Sequence, residues 1–260
     1  MIRFWAAADT DIGIKKSTNQ DACLIRHAGI NETEVLLAVI CDGMGGLSKG
    51  ELASATVVRA FAKWFDEEPA AGRHTMDVRQ IGEFWDRMLR SLNAKIRSYG
   101  EGIHISLGTT FTGILMVNGR YVIGHVGDSR AYYLGNSLQQ LTKDQTFVAR
   151  EIARGTMTPE QARTDPGRNV LLQCIGASQT VKPDILTGEL MPGAYLLCSD
   201  GFRHVNAPDE IYGVLRPDLL TDRNEARRRI RFLIEQAKGR NERDNISAMV
   251  IRTWQASGKV

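Results

Sequence analysis

The sequence predicts an α+β fold in which two antiparallel sheets are each covered by a helical layer. Three observations carry that prediction. The apolar runs at 35–41 and 195–198 are continuous rather than alternating, so they read as strands buried on both faces. Asn118-Gly119 sits between the strand-like runs 111–117 and 121–126, and Gly135-Asn136 between 131–134 and 138–141, so neighbouring strands join as hairpins. Helical segments with one apolar stripe must then lie against the outer faces of the sheets.

In chain order, residues 4–8 and 22–25 read as the first two strands, separated by the polar loop 11–21. After the run 35–41, Ser48-Lys49-Gly50-Glu51 forms a capping box that opens a helix. Ala53, Val57, Phe61 and Trp64 share one face of it, and a loop with Pro69 and Gly72 breaks it. The clearest helix comes next. Val78, Ile81, Trp85, Met88, Leu92, Ile96 and Tyr99 keep helical spacing as a core stripe, and Gly100 is its expected stop. Beyond the hairpins, residues 143–180 interrupt the strands. They hold a helix over 145–154, a second helix start at Thr158-Pro159-Glu160-Gln161, and a loop over 165–169. Strands return at 184–189 and 195–198. A last helix begins at Asp222-Arg223 and runs to Lys238, with Gly239 as its stop. Ala226, Ile230, Leu233 and Ala237 form its stripe, and Arg223, Arg227, Arg228, Arg229 and Arg231 read as a solvated face. No repeat or linker divides the chain, so one domain over 1–260 is expected, with an insertion at 143–180.

Charge and composition exclude several classes of function. Lys plus Arg number 33 against 30 Asp plus Glu, and a net charge of +3 is too small a surplus to argue for nucleic acid. Cys23, Cys41, Cys174 and Cys198 stand mostly in apolar runs with no CxxC spacing, which points to buried reduced thiols and a cytoplasmic protein. No run of membrane-spanning length occurs, and no apolar stretch of signal-peptide length opens the sequence, so no membrane partner is expected.

The chemistry concentrates at strand ends. The run 35–41 delivers Asp42-Gly43, the run 195–198 leads through Ser199 to Asp200-Gly201, and 121–126 ends in Gly127-Asp128. Asp21 precedes the strand 22–25, and Asp244-Asn245 precedes the strand-like 246–251. A carboxylate at the edge of a core is half-desolvated and costly unless something neutralises it. Glycine beside it lets the backbone carbonyl approach a ligand closely. Five aspartates so placed are hard oxygen donors, which select Mg2+ or Mn2+ over zinc, and no Cys/His spacing competes.

Several segments occur in a fixed order from about residue 5 to 252: Thr10-Asp11-Ile12-Gly13, Asn19-Gln20-Asp21, Cys41-Asp42-Gly43-Met44-Gly45-Gly46, Gly108-Thr109-Thr110, Val126-Gly127-Asp128-Ser129-Arg130, Leu141-Thr142-Lys143-Asp144, Cys198-Ser199-Asp200-Gly201 and Asp244-Asn245. In them the chain resembles the PPM (PP2C-like) metal-dependent serine/threonine protein phosphatases, particularly their bacterial members. The resemblance implies a four-layer αββα sandwich with the site at one edge between the sheets. It also implies that Asp42 bridges two tightly held Mn2+ or Mg2+ ions and that the Gly43 carbonyl contacts one of them. Asp21 would support one side, Asp200 and Asp244 would complete the other, and Asp128 with Asp200 matches a weaker third position. Lys16 stands where the family usually has an arginine that grips the substrate phosphate. It keeps the charge but loses the bidentate fork. The insertion at 143–180 resembles the flap of bacterial members, and Asp165 departs from the histidine that often precedes its proline.

The activity so implied is hydrolysis of phosphoserine and phosphothreonine by a water activated between two cations, with no protein nucleophile. Many eukaryotic relatives have His after the first Asp-Gly. Met44 stands here, so the expected acid is an ion-held water, and His125 near Asp128 reads as a packing histidine. Expected partners are phosphorylated proteins, including a cognate serine/threonine kinase and its substrates, met by a monomer. Two other readings stay open. One is a catalytically weak or inactive phosphoprotein-binding module of the same fold, which Lys16 favours. The other is a small-molecule phosphomonoesterase, which the lack of a GxxxxGK[ST] loop disfavours.

Overall fold

The computed structural model describes residues 2–30, 33–44, 49–69 and 77–256. The strands are β1 (Ile2–Asp11), β2 (Asp21–Ile30), β3 (Thr33–Asp42), β4 (Phe111–Val117), β5 (Arg120–Val126), β6 (Arg130–Leu134), β7 (Leu138–Gln140), β8 (Asp184–Glu189), β9 (Gly193–Cys198) and β10 (Ile246–Gln255). They form two five-stranded sheets, ordered β1-β10-β9-β6-β7 and β2-β3-β4-β5-β8, with every pairing antiparallel. The main helices are α1 (Gly50–Glu67), α2 (Val78–Gly102), α3 (Phe147–Ala153), α4 (Pro159–Thr164), α5 (Asp200–Arg203), α6 (Pro208–Leu215) and α7 (Arg223–Gly239).

The apolar run that opens onto Asp42 is continuous because β3 is covered on both faces. Val35, Leu37, Val39 and Cys41 pack with Val57 and Phe61 of α1 and Trp85 of α2. Leu36, Ala38 and Ile40 point the other way, toward Leu197, Met249 and Ile251 of the opposite sheet. A third cluster lies outside that opposite sheet, where Leu196, Ala248 and Val250 meet Ile230, Leu233 and Ile234 of α7. The layers therefore run helix, sheet, sheet, helix, as the alternation of side chains along each strand requires. Each fully buried Leu, Ile or Val contributes about 1.5–3 kcal/mol, so a charge placed at Ile40 would destabilise both inner layers at once.

Register brings the aspartates to one end. In the β2/β3 pair Asp21 lies opposite Asp42. In the other sheet Ala248 pairs with Cys198 and Ile246 with Asp11, which puts Asp200, Asp244 and the end of β1 together. Arg130 also pairs with Cys198, so the turn carrying Asp128 opens on the same edge.

Several local expectations are corrected. Ser48 of the expected capping box lies outside the described residues, and α1 is capped instead by Lys49, at φ 59°, with no side-chain cap bond. Gly100 does not end α2, which continues to Gly102. A Cβ at Gly100 would stand 2.6 Å from the Ile105 carbonyl oxygen, so its role is close approach of the returning chain. Tyr99 leaves the core stripe at 52% exposure, while Ile96 and Gly100 on either side of it stay buried. The helix expected from 145 begins at Phe147, where the Thr146 hydroxyl accepts the Ala149 N–H. Asp165 is a turn residue that accepts the Gly167 N–H at 2.7 Å. Arg231 is not merely solvated: it forks Asp9 and reaches Asp11 at 2.7 Å, tying α7 to the end of β1.

Candidate metal centre

Asp42 is fixed through its backbone by the segment that begins β4. Its N–H donates to the Thr110 hydroxyl at 3.0 Å, and its carbonyl accepts from the Thr110 N–H and the Thr109 hydroxyl at 2.9 Å each. The adjoining Gly43 N–H donates to the Gln20 carbonyl and the Met44 N–H to that of Gly108. Any side chain at Gly43 would collide with Gln20 and Gly50, its Cβ lying 2.6 Å from their carbonyl oxygens. The Asp-Gly turn is thus clamped between β2, β4 and the start of α1, leaving the Asp42 carboxylate at the rim.

The second sheet supplies the facing carboxylates. Asp200 begins α5, directly after Ser199, whose hydroxyl donates to Asp21 Oδ2 at 2.9 Å. Asp244 precedes β10 in a turn built around Asn245. The Asn245 amide donates to the carbonyls of Ile12 and Thr18, and its Oδ1 accepts from the Gln20 N–H. The loop carrying Lys16 is therefore stitched to Asp244, and Lys16 Nζ lies 2.7 Å from Asp244 Oδ1. Gly201 packs against this turn so closely that a Cβ would come within 2.2 Å of the Asn245 carbonyl oxygen.

The electrostatics are those of a cation deficit. Burial, then Asp21, Asp200, Asp128 and Asp244, push the Asp42 carboxyl well above the carboxylate range. Burial also pushes Asp21 up to about 7, with Asp200 and Asp244 adding to it against hydrogen bonds from Ser247 and Ser199. Burial pushes Asp128 up to about 6, Asp200 adding and Arg203 opposing. Partial burial lowers Lys16, but Asp244, Asp42 and Asp200 outweigh it and hold the ammonium charged.

Two carboxylate oxygens, Asp21 Oδ1 and Asp200 Oδ1, are buried without any hydrogen-bond partner. Such orphans cost about 1–3 kcal/mol or more each unless a ligand satisfies them. Among the described residues the carboxylates are not drawn together as a closed ligand set. The donors are of the kind that suits a hard divalent cation: carboxylate oxygens carried by both sheets, two of them without a hydrogen-bond partner.

All the residues singled out in the sequence, Lys16, Asp21, Asp42, Gly43, Asp128, Asp200 and Asp244, lie at this end. Sequence reasoning missed the residues that hold them. His204 stands 3.5 Å from Asp200 and 3.6 Å from Glu242, and Arg203 3.2 Å from Asp128. Their positions, three and four residues after Asp200, were the available signal, since that spacing shares a helix face. His125 is the packing histidine expected: its two ring nitrogens meet the Thr112 hydroxyl and the Lys143 carbonyl, and burial lowers its pKa.

Comparison with known proteins agrees with this arrangement. The family model described as protein phosphatase 2C matches residues 14–250. The protein phosphatase PhpP of Streptococcus pneumoniae is 30% identical over 247 residues, covering 93% of this chain and 94% of its own. The serine/threonine protein phosphatase PstP of Mycobacterium tuberculosis is 31% identical over 256 residues, covering 94% of this chain and 44% of its own. Among solved structures, a bacterial serine phosphatase superposes with a TM-score of 0.86 at 27% identity, covering 98% of this chain and all of its own. The catalytic domain of PstP in complex with two manganese ions superposes at 0.79 with 30% identity over 98% of this chain and all of its own. The chain is a member of the protein phosphatase 2C family of serine/threonine phosphatases.

Proposed function

We propose that this end of the two sheets is the catalytic centre of a metal-dependent protein phosphatase acting on phosphoserine and phosphothreonine. In this reading Asp42 and the Gly43 carbonyl, with Asp21, Asp200 and Asp244, hold two Mn2+ or Mg2+ ions. The observation that carries it is the pair of buried, unpartnered oxygens on Asp21 and Asp200, one from each sheet, in a cluster of like charges. When bound, the ions supply neutralisation of the phosphoryl oxygens and a water acidic enough to attack at neutral pH.

The chain's own part is placement. Thr109 and Thr110 fix the backbone of Asp42, Ser199 orients Asp21, and Asn245 joins the Lys16 loop to Asp244. Lys16 brings an ammonium into the cluster, where it meets a phosphate dianion. The four cysteines are free and three of them are buried, so the reading uses no protein nucleophile. Residues 143–180 act as a flap over the site. Gln145 supports this, since its N–H donates to the Gly127 carbonyl while its Oε1 accepts the Gly127 N–H, next to Asp128. A single domain over 1–260, working as a cytoplasmic monomer on a cognate kinase and its substrates, completes the proposal.

The test is phosphate release with Mn2+ from phosphoserine and phosphothreonine peptides against a panel of nucleotides and small phosphate esters. Peptides are expected to turn over faster. Faster nucleotide turnover would identify a small-molecule phosphomonoesterase, and peptide binding without turnover an inactive recognition module.

Lys16 carries a separate expectation. A charge-assisted hydrogen bond contributes about 1.5–3 kcal/mol, so Lys16→Ala should raise KM about tenfold or more with a smaller change in kcat. Lys16→Arg should lower KM by restoring the fork. Unchanged KM in both variants would make Lys16 a bystander.

A further inference from the structure

Asp128 differs from Asp21 and Asp200, which keep unpartnered oxygens, in being held by a buried guanidinium; Asp244 has only the more exposed ammonium of Lys16, on one oxygen. Arg203 Nη2 lies 3.2 Å from Asp128 Oδ2 and donates to the Asp128 backbone carbonyl at 3.0 Å. The two side chains are each 12% exposed, so solvent and salt screen the pair little. The same guanidinium stands 3.6 Å from Asp144, and Asp144 is forked by Arg130 at 2.7 and 2.6 Å. Two arginines and two carboxylates thus alternate beside the site and balance one another. Arg203 Nε is buried with no hydrogen-bond partner, so the guanidinium is held there by charge more than by a full set of bonds.

The contrast with the inner residues decides what this means. Asp21 and Asp200 keep bare oxygens, whereas the carboxylate and the carbonyl of Asp128 are both engaged by one side chain. The acidic end therefore divides into a part left for ions and a part already neutralised. The side chain that makes the division lies three residues after Asp200, on the helix that Asp200 itself opens.

We propose that Arg203 is the resident cation of the outer position beside Asp128, so that the protein holds two divalent ions and excludes a third. This rests on the two-ion reading of the inner aspartates. A guanidinium stays protonated at any working pH and cannot dissociate into solvent, so this side of the cluster is neutral whatever the concentration of free ions. An ion entering beside Asp128 would have to break the Arg203 bond and then sit against a like charge in a poorly screened place. Asp128 becomes a positioning residue: its carboxylate holds Arg203, and Arg203 holds the backbone after Gly127 at the rim of the site.

The test is calorimetric titration of the full chain with Mn2+, with thermal melts to confirm that each variant folds. Wild type should take two ions. Arg203→Gln keeps a donor for the Asp128 carbonyl but removes the charge. It should take a third ion at least about tenfold more tightly than any third event in wild type. Arg203→Lys keeps the charge and should stay at two. Asp128→Asn should also stay at two in the wild-type background and should abolish the third ion in the Arg203→Gln background. Should Arg203→Gln fail to fold, wild type and Asp128→Asn still decide the matter, since fewer ions in Asp128→Asn than in wild type would make Asp128 a ligand and overturn the proposal. A third ion in wild type, or a folded Arg203→Gln protein with an unchanged isotherm, would also overturn it while leaving the two-ion reading standing. A wild type that binds no ion would sink both.

Discussion

Asp42→Asn is expected to abolish turnover and at the same time to make the metal-free protein more stable. Both effects have one cause. Asp42 ends β3 where burial, then the Asp21, Asp200, Asp128 and Asp244 carboxylates, raise its pKa, so its charge is strongly opposed. Without a bound cation that charge is a liability. An isosteric amide removes it while keeping the backbone bonds to Thr109 and Thr110. A melting temperature about 2 °C or more above that of metal-free wild type would correspond to relief of roughly 1 kcal/mol. With Mn2+ present the order should reverse, because the amide is a poorer ligand and the variant gains less from the ion. A metal contribution of several kcal/mol to the transition state means a loss of about a thousandfold or more in kcat. Retention of more than about a tenth of wild-type kcat would refute a bridging role for Asp42, since a tenfold change reflects only about 1.4 kcal/mol. An unchanged melting temperature would refute the like-charge account.

Removal of metal should have a comparable effect on rate and the opposite effect on stability. Treatment with a chelator is expected to reduce peptide dephosphorylation by about a thousandfold or more, since no side chain is assigned to the ions' part of the reaction. Restoring Mn2+ at about a hundred times its dissociation constant stabilises the folded state by about 2.7 kcal/mol, which should raise the melting temperature by about 5 °C or more. Zinc should substitute poorly, because its preferred nitrogen and sulfur ligands are absent from the set while Asp21 and Asp200 offer oxygens. Full turnover in stripped enzyme would overturn the metal reading. Unchanged melting on adding Mn2+ would show that these carboxylates do not hold the ion.

What the sequence determined on its own is whatever depends on a residue and its near neighbours. The run 35–41 announced a doubly covered strand because both faces of β3 are in fact packed, one on α1 and α2 and one on the second sheet. Asp42-Gly43 and Asp200-Gly201 announced the site because glycine is required wherever backbone must touch backbone, as both do at 2.6 Å or less from a would-be Cβ. The hairpin at Asn118-Gly119 fixed the pairing of β4 with β5 for the same local reason, a turn needing φ above zero at both residues. The tertiary structure alone decided which charges meet. Arg231 lies more than two hundred residues from Asp9 in the chain, and nothing in a helix rich in arginine marks the one that will clamp a distant strand end. The spacing of Arg203 from Asp200 marks a shared helix face but not its partner, which is set only where register places β6 beside β9 and brings Asp128 within its reach. Coulomb interactions depend on distance in space and on burial, and both are set only when the sheets have closed over their core.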